Sequence, residues 1–469
     1  MRIHHHFSAA GYEVFPVTIS VRNVQGIDIT LCAGPFEHYF LVVKDPRGHI
    51  RAVLTWKTRI KDYHIREAFN AGSNNTLPGE IVDGEWTFTV VKPGFISGEI
   101  EYEVHLCASV QDDPQPNAIA VLDKSWDEII NPHAGWYCGD LHAHSAWSDG
   151  RVSLQQIHRR ARELGLDFMA LTDHSIITTH FPADAPILIP ATELTFDNDV
   201  HYNVFGVRQF IDYSHYFAGA KSKNEVLTTL HRDIAASGAL IAINHPFAAG
   251  ISLAHDFDLR AIHLLEVINA PHLADQPIDN EKAIRFFDFL WQRGHRLTAV
   301  GGSDAHKENG AGIYPLGQPL TKIYCKALSI AGLLSGLKNG HTLVDNGANC
   351  RLTLRQSSEE IVPGSEVSGS VEFEVHSEVP ALVWRLLHNG ECILERAGRE
   401  FTACVNLEPG NYFRLEGRLD NQTVFFASPV YCQLPAPEEY RFSVLRDHFL
   451  AADSSSNHCL SNCSKLKIQ

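Results

Sequence analysis

Residues 137–150 read YCGDLHAHSAWSDG. A strand-like run gives way to two histidines, His142 and His144, that flank a single alanine, and Ser148-Asp149-Gly150 follows. In an extended chain, residues i and i+2 face the same side, so the two imidazoles converge on one point. That geometry suits a metal ion. Taken alone, an HxH pair is a weak signal, and its weight depends on whether the rest of the chain supplies partners at equivalent places.

From about Cys138 the chain alternates strand-like and helical patterns, the rhythm of a parallel β/α unit. Ser153 caps a predicted helix carrying Leu154, Ile157, Ala161 and Leu164 on one face, and Gly165 stops it. Val226, Leu227, Leu230 and Ile234 predict a second helix ended by Gly238; Ile284, Phe287, Leu290 and Trp291 predict a third ended by Gly294. The intervening runs, DFMALTD, ILIPATE, ALIAINH, IHLLEVIN and LTAVGGSD, each finish in polar residues. Catalytic groups sit in this way at the carboxyl ends of barrel strands. The residues so placed are His142, His144, Asp149, His174, Glu193, His201, His245, Asp304 and His306. Imidazoles mixed with carboxylates suit Zn²⁺, Mn²⁺ or Fe²⁺.

The ordered motifs DLHAHSAWSDG, ALTDHS, ATE, NHP and GSDAH, over roughly residues 137–345, resemble the PHP (polymerase and histidinol phosphatase) family. With DVHYNVFG and β-rich flanks, the chain looks most similar to the CehA/McbA branch of metallohydrolases. The resemblance implies a distorted (β/α)7 TIM-like barrel and two or three divalent metal ions. By position, it implies one metal held by His142, His144, Glu193 and Asp304, and a second by Glu193, His201 and His245. It implies a third held by Asp149, His174 and His306.

Such a centre suits hydrolysis. A water shared by divalent ions loses its proton at a pKa that falls from about 15.7 toward about 7. The bridging hydroxide then attacks phosphorus or a carbonyl carbon, and the metals steady the developing oxyanion. Asp304 is expected to move the proton, and Asp140 and Asp173 to orient neighbouring imidazoles or act as turn residues. Lys307, Glu266 and Asn269 are candidate substrate-lining residues. GGSDAHKENGAG is glycine-rich but lacks the lysine-serine/threonine ending of a P-loop, which excludes nucleotide cradling. His158, His180, His231 and His272 carry no motif and are expected to be packing or surface residues.

Phosphoester cleavage is the favoured chemistry, of EC class 3.1, with carboxyl or carbamate ester hydrolysis of the CehA type as the alternative. An amidohydrolase also opens on HxH but usually carries a bridging lysine. A non-enzymatic protein stabilised by structural metal would have closed, fully ligated sites.

The flanks read differently. Residues 1–110 show short β-type runs broken by turns such as Asp45-Pro46-Arg47-Gly48, which predicts a β-sandwich. Residues 111–136 form a Pro- and acid-rich linker, 137–345 the barrel, 346–435 a second β-sandwich with a hairpin at Asn389-Gly390, and 436–469 a polar tail expected to fray. The His4-His5-His6 run is expected to be a solvated end.

The 469 residues suit several domains, and 44% apolar content suits a globular protein. Lys+Arg 39 against Asp+Glu 55 gives a charge of −16, which disfavours nucleic acid and anionic membrane as partners. A small anionic ester remains the expected partner, and oligomeric state is left open. Ten scattered cysteines with no CxxC pair, no signal-peptide core and no long apolar run lead to a cytoplasmic expectation. Cys459 and Cys463 in the tail are expected to be exposed thiols.

Overall fold

The computed structural model describes residues 1–463 apart from 9–10, 33, 35–37, 95–96, 111–117, 185, 197–199, 251–253 and 272–277, with side chains described as far as residue 454. His272 and the side chains of Cys459 and Cys463 therefore lie outside the described residues.

The N-terminal part is two four-stranded antiparallel sheets, one of Arg2–Phe7, Gly98–Cys107, Gly26–Leu31 and Asp62–Arg66, the other of Glu13–Val21, Gly84–Lys92, Phe40–Lys44 and Ile50–Thr55. Alternate inward residues, among them Ile27, Ile29, Leu41, Val43, Leu54, Trp86, Phe88 and Tyr102, fill one core between them. The sandwich expected from the turn spacing fits this arrangement. The histidine run is not a loose end: it lies in Arg2–Phe7, where Ile3 and Phe7 are buried and His5 stacks on Phe15 at 3.8 Å, while His4 and His6 face solvent as expected. Apolar residues on either side of His5, at alternate-face spacing, are what pull the run into the sheet.

The central part begins with β1 (Gly135–Asp140), α1 (Leu154–Glu163), β2 (Phe168–Ala170), β3 (Ile187–Ile189), β4 (Ala191–Thr195) and β5 (His201–Phe205). It continues through α2 (Lys223–Ala236), β6 (Leu240–Ile243), β7 (Leu264–Asn269), α3 (Asn280–Trp291) and β8 (Thr298–Gly302). It closes with β9 (Leu320–Cys325), α4 (Ile330–Lys338) and β10 (Thr342–Asp345). The three predicted helices form, except that Leu164, expected on the apolar face of the first, is its exposed C-terminal cap. Ser153 and Gln156 make a reciprocal capping box at α1, and Gly165, Gly238 and Gly294 take the positive φ that ends each helix.

A regular seven-fold alternation of strand and helix is not evident among the described residues. No helix separates β2, β3, β4 and β5, and β4 pairs β5 antiparallel. The strands fall into two sheets, β4-β5-β6-β7-β8 and a ten-stranded sheet that starts β3-β2-β1-β9-β10. Parallel bridges Ala143↔Ala305 and His174↔Glu193 tie the strand ends of the two together.

Beyond β10 the same ten-stranded sheet runs on through β12 (Gln422–Ala427) to β11 (Asn411–Leu419) and then to Val383–His388 and Glu391–Ala397. The last two are joined by Asn389-Gly390, both at positive φ as a tight hairpin requires. A second sheet of Glu359–Ile361, Cys350–Gln356, Gly369–Ser377 and Glu400–Leu407 shares an apolar core with this extension, including Phe373, Trp384, Leu415 and Phe425. Between β11 and α3 the Arg414 guanidinium, 1% exposed, donates to Asp288 at 2.6 and 2.8 Å and to Glu416 at 2.6 Å.

Among the described residues the tail after Pro435 is not frayed. It forms α5 (Phe442–Cys463), whose residues Phe442, Leu445 and Phe449 are buried. Phe449 packs 5.0 Å from Phe286 of α3. An apolar stripe at i, i+3 and i+7 inside a Ser- and Asp-rich sequence carries the helix. No helix among the described residues is long and apolar enough to cross a membrane.

Candidate metal centre

The motif residues meet at one place. β1 ends at Asp140, and the loop after it carries His142, His144 and Asp149. His174 follows β2, Glu193 lies in β4, His201 opens β5, His245 follows β6, and Asp304 and His306 follow β8. The antiparallel register sets Thr195 opposite His201 and Glu193 opposite Asn203, so Glu193 and His201 are diagonal neighbours on one face. Their side chains touch, with His201 Nδ1 to Glu193 Oε1 at 2.9 Å.

Glu193 is the hub. Its Oε2 lies 3.0 Å from His174 Nδ1, 3.4 Å from His144 Nε2 and 3.6 Å from His142 Nε2, and its Oε1 lies 3.5 Å from His245 Nε2. Asp304 presents Oδ1 to His144 Nε2 at 3.1 Å and to His142 Nε2 at 3.3 Å, and Oδ2 to His245 at 3.9 Å. Asp149 reaches His306 Nε2 at 3.2 Å and His174 Nε2 at 3.3 Å. Four groups have donor atoms mutually within 4.8 Å: His144, Asp149, His174 and His306; His142, His144 and Asp304; His142, Glu193 and His245; and His174, Glu193 and His201. These groups cut across the three sets implied by the resemblance, since His201 joins His174 and His142 joins His245.

The donor set fits divalent metal ions. Buried polar atoms are ordinarily hydrogen-bonded. Yet His142 Nε2, both ring nitrogens of His144, Asp149 Oδ1 and Glu193 Oε2 are buried here without a hydrogen bond of good geometry. Burial pushes the Glu193 carboxyl up, but the imidazoles of His201, His174 and His142 outweigh it and hold it well below the usual carboxylate range. Burial, with His306 and His174 alongside, lowers His144 to about 3, and burial lowers His201 to about 4 against the pull of Glu193. Against burial, the neighbouring carboxylates raise His142, His174 and His245 and push His306 up to about 9, so an ion entering there would displace protons to leave ionised carboxylates and neutral imidazoles, the forms that ligate a metal.

Backbone geometry serves the same cluster. His245 and Asp304 adopt positive φ, at 24° and 49°, a strained conformation that concentrates at functional sites. The glycines of GGSDAH have a steric reason: a Cβ on Gly302 would meet the His142 Cβ at 2.2 Å and Glu266 Oε1 at 3.0 Å.

Several expected roles change. Glu266 and Asn269 do not line a substrate space. Glu266 Oε1 lies 2.7 Å from His142 Nδ1, while its Oε2 accepts from the His245 backbone N–H at 2.8 Å and from Asn269 Nδ2 at 2.9 Å. Both are buried at the end of β7, so they fix the His142 ring instead. Among the described contacts, Asp140 and Asp173 hydrogen-bond the loops and not an imidazole ring. Asp140 accepts from the backbone N–H groups of His142, Ser303 and Gly317, and Asp173 from Ser145 and Ser148. Their carboxylates sit among main-chain donors and hydroxyls that match them better than a ring nitrogen further off. Lys307 is exposed. His158, His180 and His231 pack as expected, His180 against Phe69 with ring centroids 4.1 Å apart.

Residues to which the sequence assigned no role complete the surroundings. Asn244 Nδ2 donates to Glu193 Oε1 at 2.9 Å, and Tyr314 Oη donates to the carbonyls of His144 and Ala305 at 2.9 and 2.7 Å. From the N-terminal sheets, Lys57 Nζ comes within 3.4 Å of Asp149 Oδ2. Asn244 is the first residue of NHP and was findable from it; Lys57 and Tyr314 had no local signal.

A carboxylate that holds a ligand's second nitrogen usually contributes 10–100-fold to metal affinity or activity. Replacing Glu266 with Gln should therefore weaken metal binding about 10- to 100-fold while far-UV circular dichroism stays that of the parent. Unchanged affinity in a metal titration would show that the 2.7 Å contact does not position His142.

No protein-family model matches the chain. A 49-residue stretch is 43% identical to the DNA polymerase/3'-5' exonuclease PolX of Bacillus subtilis (strain 168), a match spanning 10% of this chain and 9% of that protein. Among solved structures, the chain is similar to a two-domain protein containing a predicted PHP-like metal-dependent phosphoesterase from Bacteroides vulgatus ATCC 8482. That likeness has 16% identity over 68% of this chain and 98% of that one, with a TM-score of 0.34. An FMN-binding beta-glucuronidase from Facaelibacterium prausnitzii L2-6 overlaps 91% of the chain at 8% identity with a TM-score of 0.18. Structural likenesses at this level do not define the fold.

Proposed function

We propose that the chain is a metal-dependent hydrolase of the PHP type, in its CehA/McbA branch, cleaving a small anionic ester, with a phosphoester as the favoured substrate. One observation carries the reading: six imidazoles and three carboxylates from separate strand ends converge in a buried cluster in which His142 Nε2, His144 Nε2, Asp149 Oδ1 and Glu193 Oε2 lack hydrogen bonds. Packing alone gives no reason to bury so many ionisable groups together. The bridges at Ala143↔Ala305 and His174↔Glu193 support a distorted (β/α)7 ring as the scaffold. The described cysteines are free thiols, which is in keeping with a reducing, cytoplasmic setting.

Two or three divalent ions, Zn²⁺, Mn²⁺ or Fe²⁺, held by His142, His144, Asp149, His174, Glu193, His201, His245, Asp304 and His306, would supply Lewis acidity and an acidified water. The chain's own part is positioning. Glu193 spans the cluster and sets the spacing of its imidazoles. Asp304 commits Oδ1 to His142 and His144, while Oδ2 stands 3.9 Å from His245. Oδ2 is then the atom placed to take a proton from the attacking water and return it to the leaving group.

Elemental analysis of the purified protein, joined to a panel of p-nitrophenyl phosphate, bis-p-nitrophenyl phosphate and p-nitrophenyl acetate, tests this. Bound divalent metal and turnover of a phosphate ester are expected, with His142→Ala and Asp304→Ala reduced to background. Turnover of the acetate alone would move the assignment to a carboxyl or carbamate ester. Variants as active as the parent would end it.

A further inference from the structure

The cluster is not uniform from floor to mouth. His142, His144 and Glu193 have side chains at most 1% exposed, whereas Asp149 is 15%, Lys57 19% and His306 31% exposed. Solvent therefore reaches the centre along the edge made by His306, Asp149 and Lys57, with Asp304, 12% exposed, bordering it. Lys57 does not belong to the central strands. It follows the N-terminal strand Ile50–Thr55, and its neighbours are fastened to the HSAWSDG loop. The Arg59 backbone N–H bonds the carbonyls of Ala146 and Ser148 at 3.1 and 3.2 Å, and the Tyr63 ring lies 5.6 Å from that of Trp147. The ammonium is then pinned at its tip, 3.4 Å from Asp149 Oδ2 and 3.1 Å from Nε2 of the buried His38. His38 in turn stands edge-on to His174 at 5.2 Å.

The outer donor group of His144, Asp149, His174 and His306 thus contains one carboxylate, and that carboxylate already faces a fixed cation. The deeper groups have Glu193 and Asp304, which face only imidazoles and an asparagine among their described contacts. A further divalent ion at the outer group would sit beside the ammonium in a partly water-excluded place, where like charges repel strongly. We propose that Lys57, carried in by the N-terminal sheets, supplies the positive charge of the outer group, so that the centre takes two divalent ions tightly and a third only weakly. This rests on the metal-centre reading above and makes the N-terminal sandwich part of the centre.

Mn²⁺ titrated into the chelator-stripped full-length protein by calorimetry, with elemental analysis after desalting, reads the stoichiometry directly. The parent should take two equivalents tightly and a third at least about tenfold more weakly. Lys57→Met, which keeps the stem and removes the charge, should tighten the third ion by about tenfold or more. Lys57→Arg, which keeps the charge, should leave the third ion weak. Lys57→Gln serves the same purpose if the Met variant melts early. Three equivalents bound alike by the parent, or one third-ion affinity shared by the parent and the Met or Gln variant, would overturn the proposal while leaving a metal centre in place. Failure of parent and variants to bind any ion would overturn the metal centre and this proposal together.

Discussion

Glu193→Gln should cost the protein its retained metal and about 10³-fold or more of its hydrolytic rate, because groups that act as a unit lose far more than one contact's worth. The side chain keeps its shape and one oxygen, so the loss is of charge and not of packing. Five imidazoles surround this carboxylate within 3.6 Å. Its burial leaves no solvent to screen them from one another once the charge is gone. Elemental analysis and turnover of the best panel substrate, compared with the parent at equal protein, check the expectation. A Gln variant that keeps its full complement of metal would show that the cluster is held without its hub. Loss of activity with metal content unchanged would instead assign Glu193 to the reaction alone.

The second large effect concerns stability. Arg414→Ala should destabilise the protein by about 3–5 kcal/mol, since removing one partner of a buried ion group leaves the others uncompensated. Asp288 and Glu416 both direct their negative charge at this guanidinium, and both are buried. Arg414→Ala would strand the Asp288 carboxylate between α3 and β11, where only the Tyr412 hydroxyl is left to it among side chains, while Glu416 keeps Arg385 at 2.7 Å. The double variant Arg414→Met with Asp288→Asn should recover part of the loss, because it removes charge on both sides. Denaturant midpoints of the three proteins measure this. Equal midpoints for the parent and Arg414→Ala would mean that water enters the junction between helix and sheet.

These two sites differ in how visible they were. The metal-type residues could be read from the sequence because strand ends place chemistry locally: TDH, ATE, NHP and SDAH each sit where a short apolar run stops. The helices were legible for the same reason, as Ser153 and Gly165 bound α1 within a few residues of its apolar face. Contacts across long separations left no such trace. Lys57 and Asp149 are ninety-two positions apart, counted from their numbers, and nothing in LTWKTRI marks the lysine as pointing at a metal-type cluster. Glu266 was found by position but given the wrong task, because a strand end says where a carboxylate is and not which neighbour claims it. For Asp140 and Asp173 the sequence left two roles open, and main-chain donors and serine hydroxyls select the turn role. The β4–β5 pairing broke the expected strand–helix rhythm, since a sequence run reports the strand and not the direction of its neighbour. The tail misled because three apolar residues at helical spacing were diluted by serine and aspartate.

The ten-stranded sheet passes through residue 345 without a seam: β10 hydrogen-bonds β9 on one side and β12 on the other. A fragment cut after Asp345 would bare the N–H and C=O groups that β12 now covers, a flat edge open to pairing with another chain. Gene fusions or swaps that keep the histidine cluster intact must therefore carry Gln422–Ala427 along with the central part, although nearly eighty residues lie between them in the chain. Inheritance of the part that holds the cluster and of the C-terminal sandwich is bound by a shared ribbon of backbone, and the two would be expected to change together or not at all.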